Sequence, residues 1–211
     1  MPNALIHRCV NKKVLERINK YKTEEEKYLY DVAAIAPDSW RNTKRFKESQ
    51  LPKKLKRMHS HFSKETEYIE HYEIFQKKYK DYLDNPFIFG YLIHLMTDNF
   101  WRTQMHEKSI VDEEHGNILN HDLEILTQEI SNYYNINELK ELTEKQIEFL
   151  PKIDEMTYEG INTTIRYINK QMKEENLNKP IRYTLEDVIN GIETCTKRIV
   201  NELNQMRWTH E

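Results

Sequence analysis

A histidine and an aspartate one helical turn apart, His94 and Asp98, lie in Gly90-Tyr91-Leu92-Ile93-His94-Leu95-Met96-Thr97-Asp98-Asn99-Phe100-Trp101, a run that is otherwise almost wholly apolar. Side chains at i and i+4 share a helix face, so both groups aim at one spot. From Phe87 to Trp101 the apolar residues go all round the helix, which is the pattern of an element buried on every side. A carboxylate and an imidazole in that setting are cut off from water. Each needs a partner: the other group, a hydrogen-bond network or a metal ion.

Other residues of ligand type recur through the first two thirds of the chain. Asp38 sits in Ile35-Ala36-Pro37-Asp38-Ser39-Trp40, and His59 and His61 sit in Met58-His59-Ser60-His61-Phe62. His7 lies in Ala4-Leu5-Ile6-His7-Arg8, and His121-Asp122 come later. Imidazole nitrogen and carboxylate oxygen are donors that zinc and related divalent metals accept. With no Cys-x-x-Cys pair, any metal here is held by nitrogen and oxygen. Taken singly, each residue has an ordinary reading: a turn cap for Asp38 after Pro37, a surface histidine for His61, a satisfied core histidine for His7. His71, His106, His115 and His210 stand in polar surroundings and read as surface groups.

The elements that carry these residues read as helices. Val10, Val14 and Ile18 predict a first helix from about residue 3 to 20. Thr23-Glu24-Glu25-Glu26 opens a second with a capping box, and Pro37 closes it because the residue before a proline is pushed out of helical geometry. Residues 39 to 60 read as a basic, exposed connection around Pro52. A third helix is expected over about Lys64 to Leu83, with Tyr68, Ile69, Tyr72, Phe75, Tyr79 and Tyr82 on its buried side. Asn85 as cap and Pro86 at the first helical position start the buried helix. A further helix spans about Ile118 to Tyr134 on Leu119, Leu123, Leu126 and Ile130. Beyond Asn137 come amphipathic helices, broken at Asn178-Lys179-Pro180. The last carries a stripe from Leu185 through Val188, Ile192, Cys195 and Ile199 to Met206.

Composition agrees with an all-α chain. There are four glycines in 211 residues, few for a chain of tight β-turns, against an abundance of Glu, Lys, Leu, Gln and Met. The expectation is a multi-helix bundle around the helix of His94 and Asp98: one helical domain over 1-211, with metal-site helices in 1-135 and supporting helices in 136-211. A net charge of -3 offers no basic field, so nucleic acid is not the expected partner. Two distant cysteines, no secretory signal and no apolar run of the ~18 residues a membrane span needs predict a soluble cytoplasmic protein. Oligomeric state is not legible.

Together the candidate ligands resemble the zinc-dependent phospholipase C family, in particular its small bacterial cytoplasmic members. The resemblance rests on Ile6-His7, Ala36-Pro37-Asp38, Ser60-His61-Phe62 and above all Gly90 to Asp98, and it covers residues 1 to about 125. By that resemblance Asp38, His61, His94 and Asp98 form the main zinc site, and Asp98 bridges to a second metal that also uses His7. The family completes a third site with His-x-x-x-Glu. None follows Asp98 here, and His121 and Asp122 are the nearest substitutes, with His115 behind them. A site of one or two metals is therefore expected.

Zinc would bring the pKa of bound water to ~7, and Asp38 would accept the water's proton. Trp40, Phe100 and Trp101 would wall the pocket. Lys44, Arg45, Lys53, Lys54, Lys56 and Arg57 would attract an anionic substrate. The implied activity is hydrolysis of a phosphoester or phosphodiester, on a small molecule or a lipid headgroup. Two other readings remain. One is an HD-type phosphohydrolase acting on nucleotides and built from His94, His121, Asp122 and Asp154. The other is a non-catalytic helical binding module with a structural metal.

Overall fold

The computed structural model describes residues 2–42, 60–62, 71–106, 113–174 and 176–208. Every regular element among them is helical, as the composition predicts. Helix α1 (Ala4–Ile18) starts where the Asn3 side chain accepts the Ile6 amide, and it stops at Asn19, which turns left-handed at φ 50°. Helix α2 (Glu24–Ala33) opens with the expected Thr23–Glu26 capping box. The chain then winds down through Ala36 into a short 3-10 helix, Pro37–Asn42. Helices α3 (Tyr72–Lys78) and α4 (Pro86–His106) follow. The Asn85 side chain caps α4, accepting the amides of Phe87 and Ile88.

The remaining helices are α5 (Glu113–Ile125), α6 (Thr127–Tyr134), α7 (Glu144–Phe149), α8 (Tyr158–Lys173) and α9 (Leu185–Trp208). Apolar side chains from Leu5 to Leu203 form one buried cluster, so the C-terminal helices share the core of the N-terminal ones. No helix among the described residues is long and apolar enough to cross a membrane.

Three predicted elements differ. The connection expected to be exposed from residue 39 begins inside the Pro37–Asn42 turn, with Ser39 buried. The helix expected over 118 to 134 is two, α5 and α6, joined at Leu126. The Thr127 hydroxyl there donates back to the Leu123 carbonyl, a local bond that competes with regular helix. Leu119, Leu123, Leu126 and Ile130 are all buried as the stripe requires. In the helix expected over 64 to 83, residues 63–70 fall outside the described part. After Lys78 the chain tightens into a 3-10 turn, Lys80–Tyr82. The change of winding takes Tyr82 off the apolar stripe and leaves it 55% exposed, while Tyr72, Phe75 and Tyr79 are buried.

Helix α4 packs against α1, α2, α3, α9 and the Pro37–Asn42 turn. Its approach to α2 depends on Gly90: a Cβ there would lie 2.5 Å from the Tyr30 carbonyl oxygen and 2.7 Å from Ala33 Cβ. Asn11 ties three helices together at the same level. Its side-chain amide donates to the carbonyls of Tyr30 (3.4 Å) and Gly90 (3.2 Å), and the Tyr30 hydroxyl donates to the Asn11 carbonyl at 3.0 Å. Gly90 and Asn11 thus set how closely α1, α2 and α4 converge, one turn below His94 and one turn beyond His7.

Candidate metal centre

Five predicted ligands come from four places in the fold and converge. His7 projects from the first turns of α1, Asp38 from the 3-10 helix, His61 from a helical residue pair at 60–61, and His94 and Asp98 from α4. His7, His61, His94 and Asp98 are completely buried, and the Asp38 side chain is 17% exposed. Asp98 is the hub. Its Oδ2 lies 3.5 Å from His61 Nε2 and 3.6 Å from His94 Nε2, and its Oδ1 lies 3.5 Å from His7 Nε2. Asp38 Oδ1 lies 3.5 Å from His61 Nε2. Ligand atoms of Asp38, His61 and His94 all fall within 4.8 Å of one another, and so do those of His7, His94 and Asp98.

These separations suit a metal better than they suit hydrogen bonds. A tetrahedral ion with arms of ~2.0–2.2 Å has ligand-to-ligand edges of roughly 3.3–3.6 Å, whereas an N–H···O bond is centred near ~2.9 Å. The Nε2 atoms of His7 and His94 are buried and have no hydrogen-bond partner. Buried polar atoms left in that state are costly, and a cation satisfies both. Three imidazoles and two carboxylates make a nitrogen and oxygen donor set of the kind zinc, iron, nickel and copper accept. Two buried or half-buried carboxylates also match the charge of one divalent ion.

The rings are oriented for this use. His94 Nδ1 sits 2.7 Å from the Ala34 carbonyl, which can only accept, so Nδ1 carries a proton and, in the neutral ring, the Nε2 lone pair faces the cluster. His61 Nδ1 lies 2.8 Å from Ser60 Oγ. His7 stacks flat on His94, ring centroids 3.7 Å apart and planes 10° off parallel.

Electrostatics follow from the same packing. Burial works to raise the Asp98 carboxyl pKa, but His7 and His94 beside it hold it well below the usual carboxylate range. For His94, burial works to lower the pKa, and the Asp98 carboxylate, with Asp38 and the Ala34 carbonyl, outweighs it, leaving a net rise. His7 goes the other way, lowered by burial and then by His94. Asp98 is thus an ionised hub at neutral pH.

His121 and Asp122 are placed differently from the expectation. The Asp122 carboxylate accepts the backbone amides of Ile181 (2.7 Å), Arg182 (2.8 Å) and Tyr183 (2.8 Å), so it anchors the loop between α8 and α9. His121 is 44% exposed and lies 3.1 Å from Asp122. Neither belongs to the converging groups. Asp154 is 79% exposed and faces Lys78, so the HD-type set of His94, His121, Asp122 and Asp154 is not brought together.

Of the proposed pocket walls, Trp101 is buried core, its ring packed at Gly191 of α9, where a Cβ would meet it at 3.0 Å. Phe100 is half-buried between Tyr72 and Arg198. The Trp40 side chain, His59 and the basic residues Lys44, Arg45, Lys53, Lys54, Lys56 and Arg57 lie outside the described residues. Ser60 and Ala34 orient the His61 and His94 rings, a role the sequence does not assign: Ser60 enters there only within the Ser60-His61-Phe62 motif, and Ala34 acts through a main-chain carbonyl. No family model, curated protein or solved structure matches this chain.

Proposed function

We propose that the chain is a metal-dependent hydrolase of phosphoesters or phosphodiesters, with zinc as the metal. The observation that carries the reading is the convergence of His61 and His94 on one oxygen of Asp98 and of His7 on the other, with Asp38 beside His61. When bound, a metal of this class supplies Lewis acidity, acidifying water and polarising a phosphoryl oxygen. The residues divide the remaining work. His61, His94 and Asp98 would hold the cation, and the second oxygen of Asp98 faces His7. Asp38 is the one partly exposed member of the set, and its carboxylate is the group proposed to meet solvent and to take the proton of the attacking water. The buried apolar surroundings of α4 strengthen each of these interactions by excluding water. The phosphoester class is carried by the resemblance of the ligand series to the zinc-dependent phospholipases C, and a small molecule or a lipid headgroup both fit it.

A structural metal in a non-catalytic helical module is the second reading, favoured by the complete burial of four of the five donors. Elemental analysis of wild type beside Asp98→Asn, followed by turnover of bis-p-nitrophenyl phosphate and p-nitrophenyl phosphorylcholine, separates them. One or two zinc per chain, lost in the variant together with hydrolysis, supports the enzyme. Bound metal without hydrolysis of either substrate, and removable only by unfolding, supports the module. Metal-free wild type sinks both.

A further inference from the structure

Resting on the metal-site reading, we infer that Tyr91 is a positioning residue for His61: it clamps the chain on both sides of that ligand. The segment 60–62 needs a clamp. Phe62, directly after His61, has φ 54°, in the left-handed region that a residue with a bulky side chain adopts only when its surroundings hold it there. His61 itself enters from outside α4, and its Nε2 must meet both Asp38 and Asp98 at 3.5 Å.

Tyr91 reaches this segment twice. Its hydroxyl donates to the Ser60 carbonyl at 2.7 Å, on the residue before His61. Its ring stacks on Phe75 at 4.6 Å and 7°, and Phe75 in turn meets the Phe62 ring edge-on at 5.4 Å and 78°, on the residue after His61. Tyr91 is wholly buried and lies three residues before His94 and seven before Asp98, so one face of α4 bears two ligands and the clamp for a third. Ser60, whose carbonyl Tyr91 holds, also places its hydroxyl 2.8 Å from His61 Nδ1. Fixing Ser60 therefore fixes the direction of the imidazole as well as the backbone that carries it. Groups of this kind behind a metal-binding histidine typically change affinity by about 10–100-fold when removed.

The test is Tyr91→Phe, which deletes one oxygen and leaves the stack with Phe75 in place. Tyr79→Phe is the control: its hydroxyl is also lost from a buried bond, to Glu155 at 2.6 Å, and its ring also contacts Phe75, but that hydroxyl bonds Glu155 rather than the Ser60 carbonyl. Full-length wild type and both variants are titrated with Zn(II) against a competing chelator and with Co(II) followed by its visible absorption. The expected result is a fall in Zn(II) affinity of about 10-fold or more for Tyr91→Phe, with a weakened or altered Co(II) spectrum, and wild-type values for Tyr79→Phe. Ser60→Ala is expected to fall with Tyr91→Phe. Affinity within twofold of wild type for Tyr91→Phe overturns the assignment while leaving the metal site standing, and so does an equal fall in Tyr79→Phe. A wild-type protein that binds neither ion overturns both.

Discussion

Gly90→Ala is the perturbation whose outcome the geometry predicts most sharply, because two effects of opposite sign compete. In the middle of a helix the change from glycine to alanine is worth up to about 1 kcal/mol of added stability. Against that, the new Cβ would stand 2.5 Å from the Tyr30 carbonyl oxygen and 2.7 Å from Ala33 Cβ, both fixed to the α2 backbone. Ordinary contacts for such atoms begin at roughly 3.3–3.5 Å, so α2 and α4 must part by ~0.8 Å. Overpacking of this kind costs about 1–3 kcal/mol. A displacement of that size also stretches the 2.7 Å contact between the Ala34 carbonyl and His94 Nδ1 beyond hydrogen-bonding range, at a further cost of about 1 kcal/mol. The net expectation is a loss of about 1–3 kcal/mol, which for a chain of this length lowers Tm by roughly 2–12 °C. Gly116→Ala is the internal control, since nothing lies within 4 Å of its Cβ position and its φ is not positive; it should gain stability. Thermal and urea unfolding of chelator-treated and zinc-loaded protein measure both. The zinc-loaded loss should be the larger for Gly90→Ala because His94 is displaced. A Gly90→Ala protein as stable as wild type, or more so, would refute the close α2–α4 contact and the Ala34–His94 contact that depends on it.

Zinc at 100 times its Kd should raise the unfolding free energy by about 2.7 kcal/mol, a Tm shift of roughly 5–11 °C that chelator reverses and Asp98→Asn abolishes; differential scanning fluorimetry reads it. Asp122→Ala, which strips three backbone amides of their charged acceptor, should cost about 2–4 kcal/mol while leaving metal content unchanged. Burial works to raise the Asp122 carboxyl pKa, but the amides of Tyr183, Ile181 and Arg182 pull it below its ordinary value. Its contribution is therefore present above the unfolded pKa of ~3.9 and lost as pH falls through the folded value. Urea midpoints of wild type and Asp122→Asn should converge below about pH 4, and a gap that stays constant from pH 7 to pH 3 would contradict the anchoring role. His121→Ala should change stability by less than about 1 kcal/mol and leave zinc stoichiometry intact; a drop in bound zinc would bring His121 back as a ligand.

What the sequence determined by itself is what short-range geometry controls. Four residues of spacing place His94 and Asp98 on one face whatever the rest of the chain does. The caps at Thr23 and Asn85 are local hydrogen bonds read from residue type, and the stripe from Val188 to Leu203 announces the buried face of α9. His7, Asp38 and His61 were legible as ligand types, but single residues carry no direction. Only the packing of α1, the Pro37–Asn42 turn and residues 60–61 around α4 decided that His7 and His61 meet at Asp98 and that Asp38 meets His61. The same holds for what misled. His121-Asp122 reads as a metal pair, and Asp122 is instead taken by amides 59 to 61 residues further along, a partnership that no local pattern encodes. Trp101 reads equally well as a pocket wall or as core. The approach of α9 at Gly191 made it core, because a large apolar ring is more stable packed against a helix than exposed to water.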